Sequence, residues 1–309
     1  MLRTRIAPTP SGFLHAGNGI SFIIAYAIAR AFDGKILLRI DDLDAERMRP
    51  EYVEDIFKTL DWLGLDYDEG PSGVDNFFQE FSQQKRLDLY ENTLKILKNT
   101  PDVSRQVEGV LYACDCSRKM IRDDSINGIY PNTCRFKNID GTKKDVAWRI
   151  HVPENTLISF QEFQKQTLSI QLNETMGDFI VRQKNGLPAY QVASLIDDEY
   201  FNINFIVRGQ DLLHSTAAQV FLAEMLNNSG TEMQFQKNMF LHHFLLTDTS
   251  RGDKEGVKLS KSQGAGSLKH WRERGLSPIA LYQKAGEWLG FENIDNLEDL
   301  VLKVKNWRF

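Results

Sequence analysis

The first forty residues carry a pattern of short and long apolar runs. Residues 2–7 read as a short strand entering a turn, where Pro8 and Pro10 remove backbone donors and fix φ and Gly12 permits unusual φ. Beyond Gly17, residues 20–31 are almost continuously apolar, as in a helix buried all round. Residues 35–40 (KILLRI) read as a buried strand. Strand, Gly/Pro turn, buried helix and strand together predict a βαβ unit with a parallel sheet.

Amphipathic helices are predicted near residues 51–63 and 80–98. Residues 101–186 differ: they hold all three cysteines, polar stretches and strand-like runs at 146–152 and 178–182. An inserted β-rich subdomain is expected there. From Tyr190 the α/β character returns, with a strand at 205–207, a helix at 211–226 and an apolar run at 239–246. Residues 250–266 form a Ser/Gly/Lys-rich loop, and a short helical tail follows from Ser277. The expected divisions are therefore 1–100 and 187–249 for the two halves of one α/β domain, 101–186 for the insertion, and 250–309 for loop and tail.

Composition narrows the class. The 309 residues carry a net charge of −5, which argues against a globally basic nucleic-acid coat. The charge is uneven: residues 41–91 hold fifteen acids and five bases, so the rest of the chain is +5. Residues 251–274 hold seven bases and three acids. One basic face therefore predicts weak, salt-sensitive affinity for a polyanion. The most apolar stretch is thirteen residues and includes Arg30, too short and polar to span a bilayer. The start of the chain has no apolar core of a secretory signal, and three cysteines make a disulfide framework unexpected. A monomer in the cytoplasm is the expected setting.

Two motifs carry chemistry. Arg5-Ile-Ala-Pro-Thr-Pro-Ser-Gly-Phe-Leu-His-Ala-Gly-Asn18 follows a strand and opens a buried helix, where free N–H groups attract phosphate. Lys258-Leu-Ser-Lys-Ser262 sets two lysines three apart among hydroxyls, suited to charge building on departing pyrophosphate. The first alone reads equally as a Pro/Gly turn with an incidental histidine, and the second alone reads better as a solvated basic loop. A third constellation is Cys114-Asp-Cys116, Tyr130 and Cys134, which can close a tetrahedral zinc site. From chemistry alone His151 is an alternative fourth ligand, and three reduced structural cysteines are the plainer reading.

Together the two motifs resemble the signature pair of class I aminoacyl-tRNA synthetases. Their flanks resemble the glutamyl-tRNA synthetase family, as do Arg39-Ile-Asp-Asp-Leu-Asp44 with Arg47, Tyr190-Gln-Val-Ala-Ser-Leu-Ile-Asp-Asp198, and Val207-Arg-Gly-Gln-Asp-Leu-Leu-His-Ser-Thr216. The resemblance implies a Rossmann-like (HUP-type) nucleotidyl-transferase sheet with a zinc-binding insertion. It implies activation of glutamate by ATP with Mg2+, then transfer to tRNA. Arg5, Ala7, Thr9, Asp41, Tyr190 and Arg208 would bind glutamate. Pro8, Pro10, His15, Gly17, Asn18 and Lys261 would face ATP, with His15, Gly17, Lys258 and Lys261 acting in catalysis. The spacing of the thiols and Tyr130, with Arg135, resembles the zinc site of some members and favours Tyr130 as fourth ligand.

One position departs from the family, which usually has Glu where this chain has Asp41. The charge is kept and the reach falls by one methylene, so either the backbone shifts, a water bridges, or the substrate differs. After Ser262 the sequence has 47 residues, too few for the helical anticodon-binding region of a glutamyl-tRNA synthetase. That predicts the short branch of the family, which attaches glutamate to queuosine in the anticodon of tRNA(Asp). A variant charging the tRNA 3′ end is the alternative, and a non-catalytic ATP- and amino-acid-binding regulator is the alternative of another class. Retention of His15, Lys258 and Lys261 weighs against the regulator.

Overall fold

The structure is a computed structural model that describes residues 1–106, 109–125, 128–164, 167–248, 257–258 and 266–307. The chain begins with β1 (Arg3–Ile6), α1 (Ala16–Ala31), β2 (Lys35–Leu38), α2 (Pro50–Trp62), the single turn α3 (Val74–Asn76) and α4 (Leu87–Asn99). Next come β3 (Leu111–Cys114), α5 (Arg118–Asp124), β4 (Ala147–Ile150), β5 (Leu157–Glu162), β6 (Leu168–Gln171), α6 (Leu172–Thr175) and β7 (Ile180–Arg182). Then follow α7 (Tyr190–Tyr200), β8 (Phe205–Gly209), α8 (Leu213–Asn228), β9 (Met239–His243), β10 (Thr247–Asp248) and β11 (Val257–Lys258). The described chain ends with α9 (Leu268–Glu273), α10 (Ile279–Trp288) and α11 (Leu297–Lys305).

These elements form two compact units. The first comprises Met1–Lys85, Asn204–Asp211 and Phe240–Phe309; the second comprises Arg86–Ile203 and Leu212–Met239. In the first unit β1 and β2 pair in parallel, Arg3 opposite Lys35 through Ile6 opposite Leu38. A parallel pair needs a crossover, which α1 supplies. Helix α1 packs on β1, β2 and β8 and also against α10 and α11. Covered on both sides, it buries Ile20, Ile23, Ile24, Ala27 and Ile28. That is why its sequence is apolar around its whole circumference.

In the second unit β3, β4 and β7 form an antiparallel sheet, and β5 pairs antiparallel with β6. Among the described residues, 101–186 hold five strands and the two short helices α5 and α6. Helices α4, α7 and α8 pack on one another. An ion pair wires two of them: Arg86 Nε and Nη2 lie 2.8 and 3.1 Å from the Asp197 carboxylate, and the Tyr90 hydroxyl donates to it at 2.6 Å.

The helix expected from residue 80 begins only at Leu87. Before it, residues 77–81 form a wider, π-type turn and residues 83–86 a tighter, 3-10 turn. The buried Asp42 carboxylate accepts from Ser82 Oγ at 2.6 Å and from Gln83 N–H at 2.7 Å, which fixes these turns in place of a continuous helix.

Candidate functional site

His15 sits at the N-cap of α1 in extended conformation. Its N–H donates to Asn18 Oδ1 at 3.1 Å, and the Asn18 N–H donates back to His15 O at 2.9 Å. Asn18 thus closes the first turn as a capping box does. No acid lies in that turn, and Arg30 stands in the last one. The N-terminal end of a sixteen-residue helix therefore keeps its positive pole. Gly17 has a local task besides any contact with ligand. A Cβ there would stand 3.1 Å from Cε1 of His15 and 3.2 Å from Nδ1, so glycine makes room for the imidazole.

Arg5 on β1 and Arg208 on β8 are both buried, and the two strands pack together. Arg5 Nη1 donates to Val207 O at 3.2 Å, which points its guanidinium across to β8. The two guanidiniums thus belong to packed strands whose neighbouring residues Ile6, Phe205 and Val207 are buried. The loop after β1 runs alongside the continuation of β2: Arg39 N–H donates to Ile6 O and Asp41 N–H to Pro8 O, both at 2.9 Å. Pro8 and Pro10 are buried, Ala7 is half-buried and Thr9 is exposed.

Asp41 does not stand alone. Arg39 Nε lies 2.7 Å from its Oδ1 and Nη2 lies 3.0 Å from its Oδ2, a bidentate pair. An ionised carboxylate has about four acceptor sites, so the pair orients Asp41 and leaves it able to accept more. Tyr190 belongs to the second unit, where it is the first residue of α7 and is 40% exposed.

The Lys258 backbone pairs with Thr247 in the β10–β11 ladder. Lys261 lies outside the described residues, as does any statement about the Lys258 side chain. The segment that follows is tied to the first motif. Leu268 N–H donates to Leu14 O at 2.7 Å, and the Lys269 ammonium lies 4.2 Å from the centre of the Phe13 ring. A Cβ on Gly19 would come 3.0 Å from Leu268 Cδ1, so this glycine admits the buried leucine. Arg272 then pairs with Asp55 at 2.5 Å and donates to Thr59 at 2.9 Å, fastening α9 to α2.

In the second unit the thiols of Cys114, Cys116 and Cys134 converge, all buried and all free. Cys116 and Cys134 sulfurs are 3.4 Å apart. Tyr130 Oη is 3.4 Å from Cys114 Sγ and 3.8 Å from Cys116 Sγ, and it accepts from Cys134 N–H at 2.9 Å. Zinc bonds of about 2.3 Å to sulfur and about 2.0 Å to oxygen set tetrahedral edges of about 3.8 and about 3.5 Å. These three separations come within about 0.4 Å of those edges and the three sulfurs lie within 4.8 Å of one another, so the residues present fit zinc. Among the described residues this is the one such group of thiols, imidazoles and carboxylates. His151, the alternative fourth ligand, is engaged elsewhere: its Nδ1 is 2.7 Å from Asp102 Oδ2.

The thiols are electrostatically unequal. Burial raises Cys114, but hydrogen bonds from Tyr130 and Arg149 and the Arg149 charge outweigh it and lower its pKa. Burial and the neighbouring Cys134 push Cys116 up to about 11. Burial, with Cys114 and Cys134 beside it, also raises the Tyr130 phenol.

Three residues with a part in these geometries were not singled out from sequence. Arg39 orients Asp41, Arg149 lies against Tyr130, and Gly209 is required because a Cβ there would meet Asp211 Oδ1 at 2.6 Å. Gly209 and Asp211 were visible within a motif. Nothing in the spacing distinguishes Arg149 from any strand arginine.

The family described as tRNA synthetases class I (E and Q), catalytic domain, matches residues 1–292. Glutamate--tRNA ligase 2 of Syntrophus aciditrophicus is 34% identical over 292 residues, covering 90% of this chain and 55% of that protein. The chain thus spans about half the length of that relative. Glutamyl-Q tRNA(Asp) synthetases of Nitratidesulfovibrio vulgaris and Pseudomonas fluorescens are 32% and 36% identical, with 82% and 75% of their lengths covered. Among solved structures, the glutamate-tRNA synthetase of Elizabethkingia anophelis superposes with a TM-score of 0.74 over 97% of this chain and 65% of that one. At 22% identity that likeness speaks for the fold. The chain therefore belongs to the class I (E and Q) tRNA synthetase catalytic-domain family.

Proposed function

We propose that this chain activates glutamate with ATP, releasing pyrophosphate, and passes the glutamyl group to tRNA. One observation carries the activation step. The turn that opens α1 and the flank of the KLSKS arm, far apart in sequence, are fastened together by the Leu268–Leu14 hydrogen bond and the Lys269–Phe13 contact. In this reading Arg5 and Arg208 receive the side-chain carboxylate of glutamate, for which a guanidinium fork is suited. Ala7 and Thr9 line that pocket, and Asp41, oriented by Arg39, accepts the α-ammonium. The α-carboxylate attacks the α-phosphorus of ATP, whose bond to pyrophosphate breaks. Pro8, Pro10, His15, Gly17, Asn18 and the α1 N-terminus bind the nucleotide, with Mg2+ on its phosphates. Lys258 and Lys261 offset the charge gathering on pyrophosphate. No nucleophilic side chain is required.

We further propose queuosine in tRNA(Asp) as the acceptor, supported by the relatives named Glutamyl-Q tRNA(Asp) synthetase and the large share of their length that this chain covers. The reading takes residues 1–100 and 187–249 as the catalytic body, 101–186 as an insertion toward the RNA, and 250–309 as arm and tail. In that insertion Cys114, Cys116, Tyr130 and Cys134 would hold one Zn2+, which supplies structural cross-linking only. The second reading, charging of the tRNA 3′ end, is favoured by the 34% identity to the Syntrophus aciditrophicus ligase.

The test has two stages. Purified protein should exchange pyrophosphate into ATP with glutamate and without tRNA. Brisk exchange with another amino acid and none with glutamate defeats the substrate assignment. Queuosine-containing tRNA(Asp) should then accept glutamate while tRNA(Glu) does not; charging of tRNA(Glu) instead establishes the second reading.

A further inference from the structure

Arg149 lies on β4, with 5% of its surface exposed. Its guanidinium carbon is 3.5 Å from the centre of the Tyr130 ring, close for a cation over an aromatic face. The hydroxyl of that ring stands 3.4 Å from Cys114 Sγ. Nη1 donates to the backbone carbonyl of Asp178 at 2.6 Å. The Asp178 carboxylate serves other groups: it accepts from Arg135 Nε at 2.9 Å, the Tyr112 hydroxyl at 2.6 Å and Val152 N–H at 2.8 Å. Arg149 Nε is buried and has no hydrogen-bond partner. Among the described residues no carboxylate pairs with Arg149.

A buried guanidinium without an anion is costly, because desolvation is not repaid by any partner charge. The protein tolerates it where it adjoins a cluster that becomes anionic. Three thiolates around a divalent ion leave one net negative charge, and a tyrosinate in the fourth position makes it two. We propose that Arg149 is the counter-ion of the metal centre, holding the Tyr130 ring and the Cys114 sulfur in position and balancing the negative charge of the loaded ligand set. This inference rests on the reading of the four residues as a zinc site. It makes Arg149 a positioning residue: it touches the ligands and leaves the metal to them. Outer partners of this kind orient ligands and tune affinity.

The test compares the full chain with Arg149→Met and Arg149→Lys. Zn2+ affinity is read by competition with a chromophoric chelator, the ligand field by Co2+ substitution, and stability by thermal melts with and without metal. Wild type should bind one Zn2+. Arg149→Met should bind it on the order of 10- to 100-fold more weakly and shift the thiolate-to-cobalt band, the usual size of an outer-partner loss. Arg149→Lys keeps the charge and should recover much of the affinity. Metal-free Arg149→Met should melt no lower than metal-free wild type, since its unpaired cation is gone, while its gain in Tm on adding Zn2+ shrinks. Equal affinity and identical cobalt bands in Arg149→Met would overturn the proposal, as would a variant that melts lower or fails to fold without metal. Wild type that binds no Zn2+ overturns the metal reading itself and this inference with it.

Discussion

Asp41 and Lys261 show how different the demands on single residues are. Arg39 is nearly inaccessible, with 2% of its side chain exposed, and Asp41 neutralises it with both oxygens. Replacing Asp41 by Asn leaves that buried cation half-paired, so Asp41→Asn should lower unfolding stability by about 3 kcal/mol in denaturant melts, as loss of one partner of a buried pair does. Asp41→Glu restores the charge with one more methylene and should cost far less. Unchanged stability in Asp41→Asn would show that the pair contributes nothing. Lys261 is a different case, because its proposed partner forms only as pyrophosphate departs. Lys261→Ala should slow glutamate-dependent exchange by on the order of 10²-fold or more and leave the melting temperature unchanged. An unaltered rate removes Lys261 from the mechanism.

At the scale of elements, α9 holds the end of the KLSKS arm against the first motif. Its anchor is the Arg272–Asp55 pair, whose acid is 5% exposed, backed by Thr59 and by Trp62 Nε1 donating to Leu276 O at 3.1 Å. Arg272→Met strands the Asp55 carboxylate. It should destabilise the protein by about 3 kcal/mol and reduce exchange more than Lys269→Met does, because the latter loses a cation–ring contact worth about 1 kcal/mol and an exposed pair with Glu273 that contributes little. Equal exchange in both variants would mean that α9 does not position the arm. The elements were largely legible in sequence, since apolar period and Gly/Pro punctuation mark β1, α1, β2 and α2 within a few residues. The start of α4 was not. Its delay to Leu87 depends on Asp42 reaching Ser82 and Gln83 across forty residues, and no local pattern reports such a contact.

Across the whole molecule, acid lowers stability in two stages. Burial lowers the pKa of His243, with a small opposing pull from the Phe244 carbonyl. It lowers that of His151 as well, in spite of Asp102 beside it. Both imidazoles therefore hold a proton less readily in the fold than when unfolded. Their contribution is complete at neutral pH and declines as pH falls below about 6.5. Asp102 behaves as a depressed acid. Burial opposes its charge, yet Ser104, Arg105 and His151 hold its pKa down at about 2. Its contribution is present above the ordinary carboxylate range and is lost as pH drops from about 4 toward 2. The melting temperature should be flat from about pH 8 to 7, fall below about 6.5 and fall again below about 4. His151→Gln with His243→Gln should flatten the first decline, and an unchanged first decline would place its origin elsewhere.

The sequence by itself determined the βαβ start, the buried helix, the β-rich middle and the blocks whose order marks the family. Those features are local: period, punctuation and motif spacing are written in neighbouring residues. It also brought Cys114, Cys116 and Cys134 close together along the chain, and the family resemblance added Tyr130 to them. Tertiary structure sets the Tyr130 hydroxyl among the thiols and pairs the His151 imidazole with Asp102. It likewise paired Asp41 with Arg39, gave Gly17 to the His15 ring and joined Leu268 to Leu14. Each of these depends on which side chain fills a particular few ångströms of space. Distances of that kind arise only when the folded chain brings residues together and excludes water from between them.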